Sequence, residues 1–197
     1  EMSNDQYSSF KQLFAQEKRG IDYRIVVEDR GSDVLIMAPH GGRIEPGTSE
    51  IAFDIAGGAL SLYCFEGLRT RPHGDLHITS HKYDESQAID AAEKCEVVVA
   101  IHGRSDRDDP ETVWLGGLDV PTLEEMEKQL KLAGFSVEIQ TGDLAGAHPN
   151  NICNRGRKGS GVQLEVPKSL RNELKANSAR LGAFSEAIRR TFSPEQD

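Results

Sequence analysis

The chain has few cysteines, no long apolar run and no surplus of positive charge, and each shortage removes a class of protein. Three cysteines, Cys64, Cys95 and Cys153, are an odd and scattered set without a CxxC pair. A disulfide framework and a cysteine-built structural zinc site are therefore not expected, and each thiol reads as buried or idle. No stretch approaches the roughly 18 apolar residues of a membrane-crossing helix. Lys and Arg number 23 against 32 Asp and Glu, a net charge of −9. That argues against a general nucleic-acid binder, whose affinity comes mainly from neutralising phosphates. P-loop, G-x-S-x-G and strand-borne G-x-G-x-x-G signatures are missing too. The start, Glu1-Met2-Ser3-Asn4-Asp5-Gln6, lacks the basic end and apolar core of a signal peptide. With Met2 taken as the native start, cytoplasmic synthesis is expected, followed by release through lysis if the protein acts outside a cell.

What is present is a set of short apolar runs alternating with helical patterns. The 197 residues suit one domain, expected over 2–193. Strands are expected at 23–28, 34–39, 59–65, 97–101, 112–115, 135–140 and 161–166. Helices are expected at 7–18, 50–56 and 84–93, from a capping box at Thr122 and Glu125 onward, and as one long C-terminal helix from Leu170 to Ile188. Thr48 or Ser49 is expected to cap the second helix, and Asp84 with Gln87 the third. Strands that are apolar throughout belong to a sheet covered on both faces, so the fold class is α/β. The chain is expected to act as a monomer.

Sites in such sheets collect at the carboxyl ends of strands. Two strands end in His-Gly: Ala38-Pro39-His40-Gly41 and Ala100-Ile101-His102-Gly103. Glu45 follows His40 across two glycines, which let the loop turn both side chains toward one point. Two imidazoles and a carboxylate suit one zinc ion with a position left for water. Glu165 sits inside the run Val162–Val166, where a charged group needs a purpose or a partner. It is the candidate general base, and a salt bridge to Arg155 or Arg157 is its structural alternative. Arg43, Arg69, Arg71, Arg104, Arg107, Arg155, Arg157 and Lys158 lie in or near the loops rich in Gly and His, where a local positive field would draw an anion. Asn154-Arg155 is expected to form a carboxylate-binding fork, with Arg43, His77 and Arg157 as further substrate contacts. The histidines at 73, 81 and 148 have no assigned role. Cys153 near His148 is the weaker nucleophile alternative.

The blocks Ala38–Glu50, Leu76–Ser80 with Tyr83-Asp84-Glu85, Ile101-His102-Gly103, and Asn151–Gly156 through Gly161–Glu165 resemble, in order, the poly-γ-glutamate hydrolase family. The resemblance implies a zinc-carboxypeptidase-like fold with a mixed central sheet flanked by helices. It implies His40, Glu45 and His102 as ligands of one zinc ion and Glu165 as base; Arg155 is a catalytic candidate on its charge alone, for the negative charge that develops in the reaction. It also implies an anionic γ-glutamyl polymer as substrate, cleaved at its amide bonds. The alternatives are a zinc deacylase or peptidase acting on a small acylated amino acid, and a non-catalytic anion-binding protein.

Overall fold

The computed structural model describes residues 5–70, 74–142 and 145–193. The expected start at Met2 and the residues Arg71 and His73 lie outside them. The strands are β1 (Tyr23–Glu28), β2 (Val34–Gly42), β3 (Ser61–Gly67), β4 (Val97–Arg104), β5 (Val113–Gly117), β6 (Val137–Ile139) and β7 (Val162–Pro167). They form one sheet in the order β1-β3-β2-β4-β7-β5-β6. β3, β2, β4 and β7 run parallel, while β1 and the β5–β6 pair oppose them at the two sides. The result is the expected single α/β domain with a mixed sheet.

The helices are α1 (Phe10–Gln16), α2 (Thr48–Ala56), α3 (Ser86–Lys94), α4 (Val120–Leu132), α5 (Lys168–Ala176) and α6 (Ser178–Thr191). Alternate strand residues face opposite ways, and this sorts the apolar side chains into two cores. Ile36, Leu62, Val99, Ile101, Leu115, Leu164 and their neighbours meet α2, α4, α5 and α6 on one face. Leu35, Met37, Tyr63, Phe65 and Val98 meet α1 and α3 on the other. The second core takes nothing from β7 or β5. Above those strands the sheet is open, and there it carries His102, Glu165 and Trp114 on three neighbouring strands. His102 pairs with Glu165 in the β4–β7 register, and Glu165 pairs with Trp114 in the β7–β5 register. Expectation and structure thus differ in one respect: the far half of the sheet has a single apolar cover, and its other face is the floor of a cleft.

Several helix ends differ from the sequence reading, each for a physical reason. Asp84 caps nothing: it accepts the Phe10 N–H at 2.8 Å and fastens α1. Glu85 caps α3 instead, accepting the Gln87 and Ala88 N–H groups while receiving the Tyr63 hydroxyl. Asp119 caps α4, three residues before Thr122, with a proline in the first turn. The expected C-terminal helix is two helices. Asn177, in extended backbone, ends α5 and caps α6 by accepting the Arg180 N–H. Among the described residues, no helix is long and apolar enough to cross a membrane.

Candidate metal centre

β2 delivers His40 where its pairing with β3 breaks. Ala38 still partners Cys64, Gly41 partners Glu66, and the register shifts between them. The Tyr83 hydroxyl donates to the Pro39 carbonyl at 2.9 Å and pins this irregularity from the second core. The loop then closes on itself, the Glu45 N–H donating to the His40 carbonyl at 2.9 Å. Gly42 takes the left-handed φ of +62° and gives its N–H to the Ser49 hydroxyl. The Thr48 hydroxyl donates to the Glu45 carbonyl at 2.9 Å. Both hydroxyls expected to cap α2 therefore serve this loop, and the capping position falls to Gly47 at φ 98°.

Glu45 is held from behind, its Oε2 accepting the Gly103 N–H at 2.8 Å. Gly103 in turn lies on the guanidinium of Arg171. That side chain is buried and donates to the carbonyls of Val166, Pro46 and Arg104, tying two strand ends to the loop before α2. A Cβ at position 103 would stand 2.5 Å from the Arg171 Cζ, and a guanidinium with three carbonyl partners has no easy retreat. Gly103→Ala is therefore expected to destabilise the fold by about 1–3 kcal/mol, the usual cost of overpacking, which thermal or urea unfolding would measure.

His40 Nε2 lies 2.8 Å from the Ile78 carbonyl. A carbonyl only accepts, so Nε2 carries a proton, and in the neutral ring Nδ1 is an acceptor. That Nδ1 is 3.2 Å from His102 Nδ1 and 3.3 Å from Glu45 Oε1. His102 Nδ1 is 3.9 Å from Glu45 Oε2. Donors about 2.0–2.1 Å from a tetrahedral zinc would stand roughly 3.3 Å apart, so the spacing and the nitrogen–oxygen donor set both fit that ion. His77 stands beside them with its ring 3.8 Å from that of His40 and its Nε2 3.7 Å from Glu45 Oε1. The ligand atoms of His40, Glu45 and His77 all lie within 4.8 Å of one another. His102 joins the group by the distances above, so the centre offers two candidate third ligands.

The charges agree with that arrangement. Burial works against a charge on His40, but the adjacent Glu45 carboxylate and the Ile78 carbonyl hold its pKa above the ordinary value. Burial alone would raise Glu45; the charge and hydrogen bond of His40, with the charges of His102 and His77, together outweigh it and hold the carboxyl down at about 2. Burial, then the charge on His40, pushes His102 down to about 3 and lowers His77 also. One positive charge is favoured at the focus of these donors and a second is not.

The centre opens into a cleft of about 1050 Å³ whose walls include His77, Ser80, Arg104, Arg107, Trp114, Gln163 and Glu165. Here the expected cation set needs correction. Arg43 is exposed, and neither it nor Arg155 lines the cleft. Arg157 pairs with Asp33 at 2.8 Å and donates to the Lys94 carbonyl. Lys158 pairs with Asp119, and Arg69 with Glu17, Asp22 and Asp75. The Asn154-Arg155 fork does not form. The Asn154 amide donates to the Gly146 and His148 carbonyls and accepts the Leu118 and Gly161 N–H groups, which uses it up as a loop brace. Two arginines do line the cleft. Arg104 stacks on Trp114 with its Cζ 3.8 Å from the ring centroid and donates to four carbonyls of the 105–112 loop. Arg107 is exposed above the same ring, at the left-handed φ of 50°. His81 and His148 stack at the rim with centroids 5.1 Å apart. Cys153 is fully buried, and burial pushes its thiol far up, which removes it as a nucleophile.

A sequence profile of the family described as poly-gamma-glutamate hydrolase matches residues 7–192. The SPbeta prophage-derived UPF0714 protein YoqZ of Bacillus subtilis (strain 168) is 39% identical over 175 residues, which are 88% of this chain and 62% of that protein. The chain thus spans about three fifths of the length of that relative. A solved structure of a bacteriophage poly-gamma-glutamate hydrolase superposes with a TM-score of 0.90 at 30% identity, covering 96% of this chain and 97% of the other. A zinc-free apo structure of YndL superposes with a TM-score of 0.90 at 32% identity, covering 98% and 100%. The chain belongs to the poly-gamma-glutamate hydrolase family.

Proposed function

We propose that the chain hydrolyses γ-glutamyl amide bonds of an anionic poly-γ-glutamate chain, with one zinc ion held by His40, Glu45 and His102. The observation that carries the reading is the pair of buried imidazoles. They turn Nδ1 atoms toward each other at 3.2 Å, with a carboxylate oxygen 3.3 Å away. A zinc-free form described for a structural neighbour and the hydrolase described for another support the metal and the reaction. When bound, zinc would lower the pKa of a water molecule and polarise a carbonyl. Glu165 would accept the proton of the attacking water and return it to the departing amide nitrogen.

The polymer's free α-carboxylates need cations that the acidic chain as a whole does not offer. Arg107 would meet one of them, with Arg104 and Trp114 holding the wall rigid. Arg107→Ala is expected to weaken apparent substrate binding about 10-fold or more, the worth of one charge-assisted hydrogen bond. It should leave zinc content unchanged. Kinetics on graded oligomers of γ-linked glutamate would measure the effect.

The function is tested by incubating the zinc-loaded protein with poly-γ-glutamate and sizing the products, with and without a chelator. Shortened chains that disappear with the chelator and return with zinc are the expected result. Intact polymer beside cleavage of small acylated amino acids would favour a deacylase. No cleavage of any amide would leave an anion-binding protein.

A further inference from the structure

His77 is tied to a residue far away in the chain. Its Nδ1 lies 2.6 Å from Oδ1 of Asp5, in the segment ahead of α1. The other oxygen of that carboxylate, Oδ2, accepts the Thr79 N–H at 2.7 Å. The side chains are largely enclosed, 12% exposed for Asp5 and 23% for His77. The pairing settles the chemistry of the ring. A carboxylate only accepts, so Nδ1 must carry the proton and Nε2 must present its lone pair. That lone pair faces Glu45 Oε1 at 3.7 Å. Two acceptors so placed repel unless a cation or a donated proton lies between them. This also revises the sequence reading of His77. A neutral ring with a bare Nε2 cannot donate to a substrate carboxylate.

We infer that Asp5 is a positioning residue for the metal centre. It fixes the tautomer and direction of His77 so that an acceptor nitrogen, and not an N–H donor, faces the ion that His40, Glu45 and His102 would hold. The inference rests on the zinc reading for its second half only; the tautomer is a property of the protein alone. Asparagine at position 5 separates the possibilities. Aspartate has two acceptor oxygens for two donors, the His77 ring N–H and the Thr79 N–H. Asparagine has one acceptor and one donor. Whichever way it turns, it must give up one partner or force the His77 proton to Nε2. An acceptor turned into a donor then faces the cation.

The test is long-range nitrogen–proton NMR of the histidine rings in metal-free protein, wild type and Asp5→Asn, with zinc affinity measured on the same samples. For wild type the expected spectrum shows His77 protonated at Nδ1. For Asp5→Asn it shows the Nε2 form or a mixture, with zinc affinity lowered about 10-fold because an N–H donor then faces the ion. A wild-type spectrum with the proton on Nε2 overturns the inference without any variant. So does an Asp5→Asn protein with unchanged tautomer and unchanged zinc affinity. If the tautomer shifts while neither protein binds zinc, the ring assignment stands and the metal reading fails. Circular dichroism guards against a folding defect, and Asp5→Glu keeps both acceptors and should restore part of the affinity.

Discussion

Replacing Glu165 with glutamine is expected to lower turnover by about 10²- to 10⁴-fold, the span of a lost general acid–base group, while zinc still binds. Glutamine keeps the shape and loses only the ability to hold a proton. The position argues for that role. Glu165 is half-buried in the cleft wall, one strand over from His102, and the sheet register puts both on the same face. The competing explanation is structural. The Glu165 charge is felt by Arg104 and Arg171, the two buried cations that tie the strand ends together. If Glu165 serves only as their counter-charge, Glu165→Gln lowers the melting temperature and leaves turnover near normal. Glu165→Asp would then be almost silent, because it keeps the charge. If Glu165 is the base, the same Glu165→Asp change should fail nearly as badly as glutamine, because the shorter side chain loses the reach. Turnover on γ-glutamyl oligomers, zinc stoichiometry and thermal unfolding on the two variants decide between them.

The parts of this molecule that local chemistry specifies are legible in the sequence itself. β1 has the bounds the sequence suggests, and Val34 and Val97 begin β2 and β4 as expected. Strands that are apolar throughout announce a covered sheet, and His-Gly at two strand ends marks the side where chemistry collects. His40, Glu45, His102 and Glu165 are indeed gathered in one cleft. What the sequence hides depends on partners distant along the chain. Asp5 and His77 are 72 residues apart, and nothing about a lone aspartate before a helix marks it as the partner of a ring nitrogen. Arg171 reads as one more charge on an amphipathic helix. Its burial under Gly103 is a consequence of how α5 leaves β7. The misplaced arginines have the same origin. Nearness to a glycine-rich loop says little about where a long side chain ends, and Asp33, Asp119 and Glu17 take three of the expected cations. The caps differ because Thr48 and Ser49 bond within the loop that precedes α2, and Asp84 takes the first N–H of α1 instead of one in α3.

His102→Ala is expected to lower zinc affinity by more than about 100-fold, and His40→Ala by at least as much. Loss of a group that merely supports a ligand costs about 10- to 100-fold, and loss of a ligand should exceed that. His102→Ala set beside His77→Ala also settles the third ligand, which geometry alone leaves to two histidines. His102 has the stronger claim. It is almost wholly enclosed, at 3% exposure. Its Nδ1 meets the Nδ1 of His40 at 3.2 Å, and among the described residues its other nitrogen lies near the Ser80 hydroxyl, at 3.5 Å. With zinc bound, each ring would turn an Nδ1 lone pair to the ion; without it, the 3.2 Å contact is a hydrogen bond in which one Nδ1 donates to the other. Burial, then the charge on His40, lowers the His102 pKa, while the Glu45 carboxylate holds the His40 pKa up against burial. If His77 were the ligand and His102 a bystander, His77→Ala would abolish zinc binding and His102→Ala would leave it within a few-fold of wild type. Should both behave as ligands, four protein donors would surround the ion and leave no ordinary position for water. The hydrolytic reading would then require one of the two to leave when substrate enters. Zinc affinity by competition with a chelating dye, on His40→Ala, His77→Ala and His102→Ala together, separates the three arrangements without any assay of activity.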